Sequence, residues 1–231
     1  EGDTQYGELL ITDEASATKP FYFKMTGTGA LSNRTYFAKE VTVSGTVYPI
    51  TGVIHDKHYV VAGDSNNPNT IYYSGTNDID DFTSTGSGNI KLDDKVIGLK
   101  SFRDDLIIFC KNSIYKLINI NNSSTIAVVP VTKNVGCLDN HSIQEIAGDL
   151  VFLSPDGVRT IAGTARIGDV ELGTVSRQIM SITEAIANGI DSFVVSSVVL
   201  RQKSQYRLFY TTSGAASSQA KGIIGSITSQ G

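Results

Sequence analysis

Tryptophan is absent from this chain of 231 residues, and cysteine occurs twice, as Cys110 and Cys137. Two cysteines make no disulfide framework. Cys110 ends an apolar run and Cys137 follows Gly136 in a loop, so both read as small buried thiols rather than a redox or metal pair. No apolar run approaches the roughly 18 residues of a membrane span. No block of five Lys or Arg occurs and the formal net charge is −4, which argues against groove-reading of nucleic acid as the main task. That charge leaves open a surface past which DNA slides without sticking. There is no Gly-x-Ser-x-Gly elbow and no phosphate loop. Gly27-x-Gly29 and Gly86-x-Gly88 are too short to be more than flexible loops. No secretory signal is visible, and the chain opens Glu-Gly-Asp without Met, so a processed chain or a fragment of a longer protein is expected.

What the chain does have is an internal repeat. GLKSFRDDLIIFCKNSIYKLI, from Gly98, and SIQEIAGDLVFLSPDGVRTIA, from Ser142, align without a gap at an offset of 44 residues. Leu106, Ile107, Ile108 and Phe109 meet Leu150, Val151, Phe152 and Leu153; Asp105 meets Asp149, and Asn112-Ser113 meets Asp156-Gly157. Each copy reads as strand, tight turn, apolar strand, tight turn, strand. Short apolar runs bounded by turn residues are strands buried on both faces. A looser copy precedes them at an offset of 48, with Ile54 in the place of Phe102, Asp56-Lys57 in that of Asp104-Asp105, and Tyr59-Val60-Val61 in that of Ile107–Phe109. Units recurring at about 40–50 residues are the signature of β-propeller blades. The fold expected is all-β: one propeller or partial propeller over residues 1–231, with its clearest blades at 51–75, 96–119, 140–163 and 193–226.

Elsewhere, Phe21, Phe23 and Met25 alternate with Tyr22 and Lys24 as in a half-buried strand. Ser44-Gly45 reads as a hairpin turn into a strand at Thr46–Ile50. Ile126–Pro130 reads as an outer or crossing strand. One short helix is expected over 176–188, capped by Ser176, with Ile179, Ile182 and Ile186 packing on a sheet and Asn188-Gly189 as its stop. Phe193–Leu200 and Tyr206–Thr211 form a further hairpin.

No catalytic constellation stands out, and neither a cofactor nor a metal is implied. His55 and His58, three apart on a strand, fall on opposite faces, which disfavours a shared metal. Asp78, Asp80 and Asp81 lie in Ser74–Asn89, which lacks the glycine and distal Glu of a calcium loop and reads as a solvated turn, with weak calcium binding the minor alternative. That stretch and the insertion Gly63–Asn69 are the candidate contact or channel-facing loops, through Asp64, Asn66, Asn67, Asp78, Asp80 and Asp81. Tyr72, Tyr73, Tyr206 and Tyr210 could line a sugar-binding face, although tyrosines so placed more commonly pack.

The order of motifs, KLDDKVIGLKSFRDDLIIFCKNSIYKL from Lys91, a Val131–Cys137 link, HSIQEIAGDLVFLSPDGVRTIAG from His141 and LGTVSRQI leading into a helix, resembles the propeller of phage tail nozzle or hub proteins. That family includes tail tubular protein B and the packaged-DNA stabilisation proteins of short-tailed phages. The preceding YYSGTNDIDDFT resembles the aromatic-then-acidic segment ahead of a blade. The resemblance covers a little under half of the chain and implies a non-enzymatic virion protein, assembled in the host cytoplasm and located in the tail. It further implies a ring of copies, commonly six, below the portal and adaptor, retaining and then conducting the genome without sequence-specific binding. The rival is a carbohydrate- or protein-binding propeller with a pocket at Tyr72 and Tyr73, and a weaker one is a glycan-cleaving propeller needing two converging carboxylates.

Overall fold

The computed structural model describes residues 7–11, 19–26, 35–162, 177–215 and 219–226. The fold is all-β, built of antiparallel sheets with one α-helix among the described residues. It separates into two compact units, Glu1–Ser101 with Asn119–Ala127, and Phe102–Ile118 with Val128–Gly231.

In the first unit, β1 (Gly7–Ile11), β2 (Phe21–Thr26) and β3 (Thr35–Glu40) pair in sequential order. Next, β4 (Thr51–His55), β5 (His58–Ala62), β6 (Thr70–Tyr73) and β7 (Gly88–Lys91) form a four-stranded meander. β8 (Val96–Phe102) follows in the chain. β5 is buried along its whole length, as a run apolar on both faces demands. Tyr22, Val41, Val43, Val47, Tyr59, Val61 and Phe82 make one apolar cluster. The alternation in β2 is inverted from the sequence expectation: Tyr22 is the buried residue and Phe21 is exposed. The turn at Gly45 forms, with Val47 N donating to Ser44 O at 2.9 Å, but Thr46–Ile50 is not a strand; Val47 is instead drawn into the core.

In the second unit, β9 (Asp105–Cys110), β10 (Ile114–Ile118) and β11 (Ala127–Thr132) are successive neighbours. β12 (Gln144–Ile146), β13 (Asp149–Ser154) and β14 (Gly157–Thr160) form a three-stranded sheet, as do β15 (Phe193–Leu200), β16 (Gln205–Thr212) and β17 (Lys221–Ser226). Between them lies the helix α1 (Met180–Asn188). Its amino-terminal cap is Ile179, after a short 3₁₀ turn, so Ile179 is not in the α-helical stripe; Ser176 lies outside the described residues. Ile182 is exposed, and the buried residues are Thr183 and Ile186, which stand one turn apart. Ile186 packs with Ile146, Val151, Leu153, Val158, Val195, Tyr206 and Leu208.

The repeat is realised at the backbone. The first residue of each turn is left-handed at Asp56, Arg103 and Ala147, with φ of 45, 55 and 52°, and the strands that follow, β5, β9 and β13, are buried. These equivalences set the first offset at 47 residues, not 48. The slip matters because one residue exchanges the two faces of a strand. Ile54 is 50% exposed, while His55, at 7%, takes the place of Phe102 and Ile146. A polar residue at a core position hid the true register from apolar matching.

Both cysteines are buried, and Cys137 N donates to Cys110 O at 2.8 Å. Burial pushes the Cys137 thiol up to about 12. Its folded value lies above that of the unfolded thiol, so the associated stability is complete below about pH 8.5 and falls as pH rises toward the folded value. Iodoacetamide at mildly alkaline pH should therefore leave Cys137 unlabelled in the native protein and alkylate it after denaturation, as intact mass will report.

Candidate functional site

The hairpin joining β4 to β5 is a two-residue turn, Asp56-Lys57, with φ of 45 and 69°. It sets His55 directly opposite His58 on adjacent strands. Their separation is therefore not that of two residues on opposite faces of a single strand, as the spacing had suggested. The two rings are held apart chemically by different partners: His55 Nδ1 meets Ser101 Oγ at 2.9 Å, while His58 Nδ1 donates to Ser74 O at 2.6 Å. Nε2 of His58 faces Asn121 Oδ1 at 3.0 Å and Thr76 Oγ1 at 3.2 Å. Asn121 Nδ2 in turn donates to the Asp56 carboxylate. The neighbouring Ser74 hydroxyl accepts from Tyr59 N at 2.9 Å and donates to Gly75 O at 3.1 Å.

This knot fixes the start of the Ser74–Asn89 loop. His58→Phe keeps the ring but removes both nitrogens, leaving the Ser74 carbonyl without its partner. The expected cost is about 2 kcal/mol, read as a lower urea midpoint at unchanged slope.

The six candidate loop residues do not act alike. Asp64 is fully buried and accepts from Tyr48 N at 3.1 Å, from Asn67 N at 2.9 Å and from Asn67 Nδ2 at 2.9 Å. It folds the Gly63–Asn69 insertion from within and is withdrawn from the surface; Asn66 and Asn67 are exposed. Asp80 pairs with Lys39, a partner the spacing gave no hint of. Asp81 Oδ1 accepts from Thr83 N at 2.7 Å, Thr83 Oγ1 at 2.6 Å and Ser84 N at 3.2 Å, bonds that hold its carboxyl below the usual carboxylate range. Partial burial, then the charges of Asp80 and Asp81, push Asp78 upward. Asp78 is the exposed carboxylate of the three.

Among the described residues, no group of three or more His, Cys, Asp and Glu is placed to hold a metal. The loop is not simply solvated: Phe82 enters the core edge-on to Tyr59, with ring centres 6.2 Å apart. Ile79 and Phe82, the two large apolar residues of an otherwise polar run, are the available signal, and both pack on this cluster. Tyr72 is half-buried against that core, and Tyr73 stands edge-on to His58. Tyr206 is buried, donating to Ser142 O at 2.8 Å, and Tyr210 stacks edge-on with Phe193. Each of these tyrosines packs within its own unit.

No helix among the described residues is long and apolar enough to cross a membrane. No protein-family model matches the chain, and no curated protein matches it.

Proposed function

We propose that this chain is a virion structural protein, a component of a phage tail nozzle or hub. Copies of it form a ring, six in the family it resembles, below the portal and adaptor, and the ring retains the genome and then conducts it. The carrying observation is the threefold recurrence of strand, tight turn with a left-handed first residue, and buried strand, in an antiparallel all-β chain. Hairpins recurring at this spacing support a reading as propeller blades, and their motif order resembles that of the nozzle family. The loop Ser74–Asn89 carries Asp78, Asp80 and Asp81 and no Lys or Arg of its own, as suits a conduit that must not grip a polyanion.

The packing of Tyr72 and Tyr73 counts against the glycan-binding alternative. Light scattering with particle imaging tests the reading. A closed ring with a central hole is the expected result. A chain that stays monomeric at high concentration and does not join tail particles overturns it, and glycan capture by that monomer would replace it with the binding-module reading.

A further inference from the structure

The sheet β15-β16-β17 has two different faces. Val195, Tyr206 and Leu208 point into the core of the second unit. On the other face Val194 lies opposite Thr211, Phe209 opposite both Ser196 and Gly222, and Arg207 opposite both Val198 and Ile224. Four apolar residues of that face are exposed: Val194 by 55%, Val198 by 44%, Phe209 by 39% and Ile224 by 57%. The row runs to β17, which is the edge strand of its sheet among the described residues. Natural edges are usually blunted by charge, proline or a bulge. β17 carries a charge only at its first residue, Lys221, and Gly222–Ser226 has neither a charge nor a proline.

Glycine shapes this edge. A Cβ placed on Gly222 would lie 3.1 Å from Cδ1 and Cε1 of Phe209, so the ring lies over the glycine. A strand added beside β17 would bring its residue opposite Gly222 against that ring, and the residue two positions away against Ile224.

Charge specifies the rest. Residues 193–226 hold Arg201, Lys203, Arg207 and Lys221 and no Asp or Glu, in a chain with 23 acidic and 19 basic residues. Arg201, Lys203 and Lys221 are exposed, and Arg207 shares the face of Ile224.

We propose that the outer edge of β17 docks an extended acidic segment of another protein. The segment adds as a fourth strand, with apolar residues at alternate positions facing Phe209 and Ile224 and carboxylates meeting the surrounding cations. Main-chain hydrogen bonds supply affinity, and the alternating contacts supply selectivity. This inference does not depend on the ring reading.

The test uses the full chain and a fluorescent peptide alternating Val with Glu, followed by anisotropy. Saturable binding is expected, with slowed amide exchange over 221–226. Ile224→Asp and, separately, Lys221→Glu should each weaken it about tenfold, as should high salt. Ile182→Asp, on the exposed face of α1, should not. Circular dichroism checks that the variants are folded, and the two edge variants serve as substitutes for one another. The proposal is overturned by absence of binding, by equal binding of a peptide with Lys in place of Glu, or by binding that both edge variants leave intact. It is also overturned if light scattering shows a dimer that Ile224→Asp dissociates, because the edge then belongs to a second copy.

Discussion

Gly136→Ala is expected to cost about 4 kcal/mol, near the limit of what one methyl group can do. A Cβ at Gly136 would lie 2.1 Å from Lys111 O, 2.3 Å from Lys111 C and 2.5 Å from Asn112 N. All three atoms are backbone, so no rotamer change relieves the contact. They belong to the turn between β9 and β10, which is closed by Cys110 N donating to Ser113 O at 2.9 Å. Moving Gly136 outward breaks the bond from Cys137 N to Cys110 O and drags Cys137 and Leu138 away from the groups they engage. Gly148→Ala separates this clash from the effect of backbone dihedral. Gly148 has φ of +77° with nothing within 4 Å of its built Cβ, so alanine there carries only the left-handed penalty of about 1 kcal/mol. Urea unfolding of both variants reads the difference. Near-equal costs would show that the Lys111-Asn112 turn yields freely, contrary to this account.

The two clear copies of the repeat were visible in the sequence because their second strands are purely apolar and their turns carry Asp, Asn or Gly at matching places. β9 and β13 lie where those patterns put them. Apolar matching sets the looser copy one residue out of register because His55 stands where its counterparts are Phe102 and Ile146. Hydrophobic matching has no means of recognising a histidine whose polar atoms are satisfied inside. The same blindness explains the loops. Asp64 and Asp78 are the same residue type in similarly polar surroundings, yet one is buried by three hydrogen bonds and the other faces solvent. Lys39 reaches Asp80 across a separation in sequence that no local pattern encodes. β7 was missed because Gly88–Lys91 has no apolar run of its own; it is a strand because β6 supplies its partner. In α1, the spacing of three isoleucines suggested a buried stripe, but Thr183 and Ile186 form the buried pair and Ile182 is left outside.

Asp156→Ala should be among the most destabilising substitutions of an acidic residue in the second unit, at about 2 kcal/mol, less than for a fully buried pair because the Asp156 side chain is 37% exposed and solvent screens it. Arg159 lies on β14 directly opposite Phe152 and is only 1% exposed. Its guanidinium meets the Asp156 carboxylate through two bonds, Nε to Oδ1 at 2.8 Å and Nη2 to Oδ2. The turn Pro155-Asp156 between β13 and β14 brings the two residues together three positions apart. Burial is the largest single influence and works to raise the Asp156 carboxyl, but the hydrogen bonds from Arg159 and Ser154 and the charge of Arg159 together outweigh it, leaving it below the usual carboxylate range. Removing the carboxylate takes away the two bonds and the negative charge that Asp156 gives to a buried cation, whereas Arg159→Met removes the charge and keeps much of the volume. The repeat supports this asymmetry, since the equivalent position in the first clear copy is Tyr115, which is likewise buried but carries no charge. Arg159→Met should therefore cost clearly less than Asp156→Ala. The pH dependence follows from the sign of the shift. The folded value is depressed, so the pair's contribution is present above the unfolded value of about 3.9 and is lost as pH falls through the folded one. Acid unfolding of the native chain should show this loss and Asp156→Ala should lack it. If Arg159→Met proves as costly as Asp156→Ala, the guanidinium is required for contacts beyond the ion pair and the balance argued here is wrong.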